Sequence, residues 1–135
     1  MQLLDHVSIS VSNIAKCVGF YDALMESLGC EKVYETQTSL GYGVRCTAGQ
    51  ESHSCLAVYE SETANTDEFR HWCFKAPSRE AVISFYNAGI TSGGKCGGEP
   101  GLRSHYHANY FGAFLYDPFG NRVEAVYHGV NTKQN

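Results

Sequence analysis

The chain has 135 residues, 43% hydrophobic and 18% charged, with a net charge of −4. That length fits one compact domain, or two small modules that share a core. The acidic balance argues against nucleic acid or an anionic membrane surface as partner, no apolar run nears the ~20 residues of a membrane span, and MQLLDHVSISVS lacks the basic and apolar regions of a signal peptide.

In chain order, Val7, Ile9 and Val11 alternate with His6, Ser8 and Ser10, which predicts a half-buried strand. Ser12 or Asn13 can cap a helix whose Ile14, Cys17, Val18, Tyr21, Leu24, Met25 and Leu28 keep a helical period, and Gly29 suits the left-handed position that ends it. Strands follow at about 31–36 and 40–47, and Leu56 to Tyr59 forms a fourth. ESETANTDE, residues 60–68, reads as an acidic linker. The pattern then restarts. Trp72, Phe74 and Ala76 oppose His71, Cys73 and Lys75; Ser78 opens a second helix; and Gly94 is expected to stop it. A short strand is placed at about 93–97 and another at 110–116, while the five glycines and one proline of 93–101 read as a long loop able to cover a site. Asp117-Pro118-Phe119-Gly120-Asn121 is a hairpin signal, and Glu124 to Tyr127 is the last strand. Residues 129–135 are expected to be a loose tail.

This restart is an internal repeat. An offset of 65 pairs His6 with His71, Phe20-Tyr21 with Phe85-Tyr86, Ala23 with Ala88 and Gly29 with Gly94. An offset of 68 pairs Leu-Ala-Val-Tyr at 56–59 with Glu-Ala-Val-Tyr at 124–127. Each module is thus predicted to be βαβββ, module one about 3–60 and module two about 69–128, within one α+β domain over 1–135. A module of this size buries little by itself, so two must pack together or two chains must exchange them. The six cysteines form no C-x-x-C pair, which argues against a structural zinc knuckle and for thiols in a reducing cytosol.

His6 and His71 lie on the polar faces of repeat-related strands, and Glu124 lies mid-strand between Val123 and Ala125. A carboxylate there is costly to bury unless it is paired or bound to a cation. Two imidazoles and one carboxylate match the facial set that holds a divalent ion with open positions. Hydrogen-bonded strand histidines and a solvated glutamate are the plain alternative.

Three stretches carry a resemblance over about residues 3–128: LDHVSISVSNIAKCVGFYDALMESLG, HWCFKAPSREAVISFYNAGITSGG and HYHANYFGAFLYDPFGNRVEAVYH. Through them the chain resembles the glyoxalase/bleomycin-resistance/extradiol-dioxygenase, or vicinal oxygen chelate, superfamily, and the last stretch is similar to a glyoxalase-like subgroup. The resemblance implies a curved, cup-like mixed β-sheet with helices outside. It implies metal-ligand roles for His6, His71 and Glu124, and one divalent ion: Fe, Mn, Zn, Ni or Co. The fourth ligand slot falls on Leu56, which cannot coordinate, so the resemblance disfavours glyoxalase I chemistry proper. His53 would fill that slot only if the strand register slipped by an odd number.

What the resemblance implies of mechanism is a small-molecule substrate that offers two adjacent oxygens to the ion, which stabilises the oxyanion formed. His105, His107 and Tyr110 are the candidate catalytic groups, with Arg103 and Tyr106 the candidate substrate-binding ones. A cytoplasmic homodimer is the expected assembly. Two other readings stand beside the metal-dependent lyase or dioxygenase: a metal-free drug-binding protein of the resistance type, and a fosfomycin-type thiol transferase.

Overall fold

The computed structural model describes residues 3–44, 47–49 and 53–130. Its elements run β1 His6–Val11, α1 Ile14–Ser27, β2 Lys32–Glu35, β3 Ser39–Gly43, β4 Cys55–Glu60, β5 His71–Lys75, α2 Arg79–Thr91, β6 Lys95–Leu102, β7 Phe111–Tyr116 and β8 Arg122–Tyr127. The chain is α+β, two βαβββ modules in tandem. Residues 45 and 46 of the strand predicted at 40–47, and 131–135 of the predicted tail, lie outside the described residues. No helix among the described residues is long and apolar enough to cross a membrane.

Each module makes its own four-stranded mixed sheet, in the orders β1-β4-β3-β2 and β5-β8-β7-β6. The first strand pairs in parallel with the last, and the remaining pairs are antiparallel. A helix crossover is what a parallel pair needs, and α1 and α2 supply it.

The helix starts follow from their caps. Asn13 accepts from the Lys16 N–H at 3.2 Å, and Glu60 accepts from the Ile14 N–H at 2.9 Å, tying α1 to the end of β4. Ser78 accepts from the Ala81 N–H at 3.0 Å. Gly29, at φ +74°, ends α1 as expected. After α2 the left-handed residue is Gly93, at φ +96°, rather than Gly94. Gly94 is instead a point of close approach, where a Cβ would lie 2.4 Å from the Phe20 ring of module one.

The expected loop at 93–101 is mostly strand. β6 pairs with β7 through two register shifts, one between Cys96 and Gly98 and one between Gly98 and Gly101. The glycines are there for contact: a Cβ on Gly97 would sit 3.2 Å from both Phe114 and the Tyr116 ring.

One apolar cluster runs through both modules, from Ile9, Phe20, Tyr21 and Leu24 to Val82, Phe85, Leu115 and Val123. Gly89 of α2 lets Leu24 and Leu115 close over it. A buried polar clamp reinforces the join. Asp117 Oδ1 accepts from the N–H groups of Phe119, Gly120 and Asn121, while Oδ2 accepts from the Tyr21 hydroxyl at 2.5 Å and the Asn121 amide at 3.0 Å. That amide also reaches the Ser10 carbonyl at 3.0 Å.

Candidate functional site

The alternation in each strand decides which side chains meet. Ala113, Leu115, Val123 and Ala125 belong to the core cluster, and the half-buried Trp72 and Phe74 pack against it. Their neighbours His71, Cys73, Phe114, Arg122 and Glu124 therefore share the opposite, open face of the second sheet. The register sets His71 against Arg122, Cys73 against Glu124, and Glu124 against Phe114.

Glu124 is the centre of this face and is only 2% exposed. Its Oε1 lies 3.1 Å from His71 Nε2, and its Oε2 accepts from the Tyr110 hydroxyl. The other nitrogen of His71, Nδ1, has the Phe69 carbonyl at 3.3 Å. Cys73 contacts both Glu124 and Tyr110; desolvation, then the Glu124 charge, push its thiol up to about 12. Desolvation and the bond to Glu124 hold the Tyr110 phenol well above its ordinary range.

The residues from 103 to 110 pack beside this group. Tyr106 and Tyr110 stack at 4.6 Å between centroids, and His105 lies on Tyr106 at 4.2 Å, so His105 and Tyr106 reach Glu124 only through Tyr110. His107 Nδ1 accepts from the Asn109 N–H at 3.1 Å, which leaves Nε2–H to donate to His128 Nδ1 at 2.9 Å. Both rings lie edge-on to Tyr110. Arg103 donates to the carbonyls of Gly101 and Glu99 at 3.0 and 2.7 Å, and its guanidinium sits 5.7 Å from the Phe114 ring centre.

His6 has different company. Its Nδ1 lies 2.7 Å from Asp5 Oδ1, and His53 Nε2 lies 3.0 Å from Asp5 Oδ2. The Asp5 carboxyl is held below its usual range, first by the His6 bond. Among the described residues no three His, Cys, Asp or Glu side chains gather into a set able to hold an ion. His71 and Glu124 are thus brought together, while His6 forms a separate cluster in module one. A cavity of about 410 Å³ lies between β1, β5 and the linker, lined by Ser8, Ser10, Asn65, Arg70, Trp72 and Asn121 rather than by the His71–Glu124 pair.

The register also corrects the fourth ligand slot. His6 pairs with Cys55 and Ser8 with Ala57, as His71 pairs with Arg122 and Cys73 with Glu124. The structural counterpart of Glu124 is therefore Ala57; Leu56 points into the core at 4% exposure. Neither can coordinate. His53 precedes β4, and its ring is committed to Asp5. Sequence reasoning left out Asp5, Cys73, Phe114, Arg122 and His128. Strand parity with His71 and Glu124 was enough to find Cys73 and Arg122; His128 and Asp5 needed tertiary contacts.

The fold and this face define a two-module βαβββ protein with a paired histidine and buried glutamate on one sheet. A family model described as the Glyoxalase/Bleomycin resistance protein/Dioxygenase superfamily matches residues 3–125, and the chain belongs to that superfamily. Among solved structures it is similar to a glyoxalase/bleomycin resistance protein from Albidiferax ferrireducens, at 26% identity and TM-score 0.78, covering 95% of this chain and 100% of that one. A glyoxalase/bleomycin resistance protein/dioxygenase family enzyme from Burkholderia phytofirmans shares the fold at 19% identity and TM-score 0.65, over 93% of this chain and 98% of that one. So does a glyoxalase-related enzyme from Fulvimarina pelagi, at 13% identity and TM-score 0.67, over 100% and 96%. No curated protein matches the chain.

Proposed function

We propose that the protein is a metal-dependent enzyme acting on a small molecule with two adjacent oxygens, and that His6, His71 and Glu124 are its protein ligands. The arrangement at His71 carries the reading. The Phe69 carbonyl and the Glu124 carboxylate both only accept, so each nitrogen of His71 faces an acceptor, at 3.3 and 3.1 Å. A neutral ring has a single N–H for the two of them. A second proton or a bound cation answers the other, and a buried carboxylate adds the same demand. The donor chemistry fits Fe(II), Mn(II), Zn(II), Ni(II) or Co(II).

A bound divalent ion would supply Lewis-acid stabilisation of an oxyanion formed on the substrate. The chain's own groups do the rest. The Tyr110 hydroxyl orients the carboxylate from its far oxygen, and the His107–His128 pair beside Tyr110 holds an exchangeable proton. Ala57 in place of a fourth ligand leaves coordination positions open, which suits a chelating substrate and disfavours a glyoxalase I reaction.

His6 stands apart from the pair within one chain, and we propose a cytoplasmic homodimer in which a second copy supplies it. Metal analysis of protein purified without chelator tests the ligand set: one ion per chain in the native protein, and loss in His71→Ala and Glu124→Ala. Absence of metal in the native protein would instead favour the metal-free binding reading, which the separation of His6 from the pair supports. Mixing His6→Ala with His71→Ala chains tests the assembly, because a site shared between copies would restore about a quarter of the ion content. A site within one chain would restore none.

A further inference from the structure

We infer that the open face of module two carries an oxyanion subsite, built from the guanidinium groups of Arg122 and Arg103 against the Phe114 ring, that receives a carboxylate or phosphate group of the substrate. The substrate assignment rests on the metal reading above; the anion site itself does not.

Position comes first. Arg122 is two residues before Glu124 on the same face of β8 and pairs across from His71. The His71 ring lies 5.8 Å from the Phe114 ring. Arg122 and His71 are therefore neighbours on one face, their backbones about one strand spacing, ~4.8 Å, apart.

The chemistry of the two arginines follows. Arg122 stacks on Phe114 at 4.2 Å and Arg103 at 5.7 Å. A guanidinium stacked on a ring keeps its N–H groups in its own plane, where an edge can grip a carboxylate or phosphate with two bonds. Two side-chain donors of Arg103 go to backbone carbonyls, which fix the group and leave its remaining N–H groups free. The glycines of β6 make room for it: a Cβ on Gly98 would sit 3.2 Å from Arg103 Nη2, and one on Gly101 3.3 Å from Nη1.

Arg122 is the less satisfied of the two. Its Nε is buried and has no acceptor. Among the described residues neither arginine forms an ion pair, although the chain holds 14 Asp and Glu residues against 10 Lys and Arg. With no carboxylate on either cation among the described residues, the buried Nε–H of Arg122 is the donor that an anion from outside would answer.

The test uses chelator-treated protein, titrated separately with inorganic phosphate and with propionate, following the arginine Nε–H resonances by NMR. At least one anion should shift the Arg122 and Arg103 signals to saturation. Arg122→Met and Arg103→Met should each weaken that binding about tenfold, with Arg122→Lys in between. Saturation by phosphate alone assigns a phosphate group, and by propionate alone a carboxylate. Arg122→Met keeps a side chain that can lie on Phe114; should it fail to fold, Arg103→Met and Arg122→Lys carry the test. Absence of saturable shifts, or equal affinity in the variants and the native protein, would overturn the subsite even if the protein binds a metal. Conversely, arginine-dependent binding in a protein that takes no metal would leave the subsite standing and remove only the metal reading.

Discussion

Glu124 shows how one side chain can organise a face. Its two oxygens serve His71 and Tyr110 separately, so removing either partner strands a buried acceptor. Tyr110→Phe is expected to cost about 1–3 kcal/mol in urea unfolding and to lower metal affinity about tenfold or more, with the His71 contact unchanged. Cys17 offers a second test at this scale. Burial, then the Asp117 charge, push its thiol from 9.0 up to about 11. The folded chain thus holds this proton more tightly than the unfolded one. Its contribution to stability is full below pH 9 and is lost as pH rises through about 11, amounting to at most about 2–3 kcal/mol. Cys17→Ala should be less stable overall yet show a flatter alkaline fall in Tm. His71 and Glu124 are legible as candidate site residues from strand parity and the repeat. Their direct contact is not, because it depends on how the strands align.

At the scale of elements, the prediction at 93–101 shows where composition misleads. Glycine and proline are usual in loops, yet here the glycines let β6 lie against Phe114 and Tyr116. The same logic operates in β3, where a Cβ on Gly41 would fall 2.0 Å from the Tyr34 ring. Gly41→Ala should cost about 1–3 kcal/mol by thermal unfolding, since the ring must leave its place over the strand. A fully stable Gly41→Ala protein would mean that Tyr34 moves aside freely. The match of Leu-Ala-Val-Tyr to Glu-Ala-Val-Tyr misled by one residue, and one residue exchanges the two faces of a strand. It put Leu56 at the counterpart position of Glu124, which belongs to Ala57. Register is set by hydrogen bonds and core parity, and an ungapped comparison of letters does not see either.

At the scale of the molecule, the modules are held by one apolar core and by the Asp117 clamp across to Tyr21 and Ser10. Asp117→Ala should destabilise the protein by about 3–5 kcal/mol, because it leaves the N–H groups of Phe119 and Asn121 and the buried Tyr21 phenol without their acceptor. Tyr21→Phe removes one of those bonds and should cost about 1 kcal/mol. Chemical denaturation with fluorescence and circular dichroism together would check both. Separate transitions for the two modules in Asp117→Ala would show that the clamp supplies the cooperativity; a single sharp transition would assign it to the apolar core.

The sequence by itself determined the two βαβββ modules, the helix starts, the polar and apolar faces of β1 and β5, and the candidacy of His6, His71 and Glu124. These rest on periodicity and caps written in neighbouring residues, and on an internal repeat visible in the letters themselves. Only the tertiary structure decided that His71 and Glu124 meet while His6 lies with Asp5 and His53, that Ala57 is the counterpart of Glu124, and that Arg122 lies over Phe114 with no ion-pair partner among the described residues. Those outcomes depend on register and on how two sheets pack through their helices. The His71–Glu124 and Tyr21–Asp117 contacts join residues 53 and 96 apart in the chain, which no local pattern encodes.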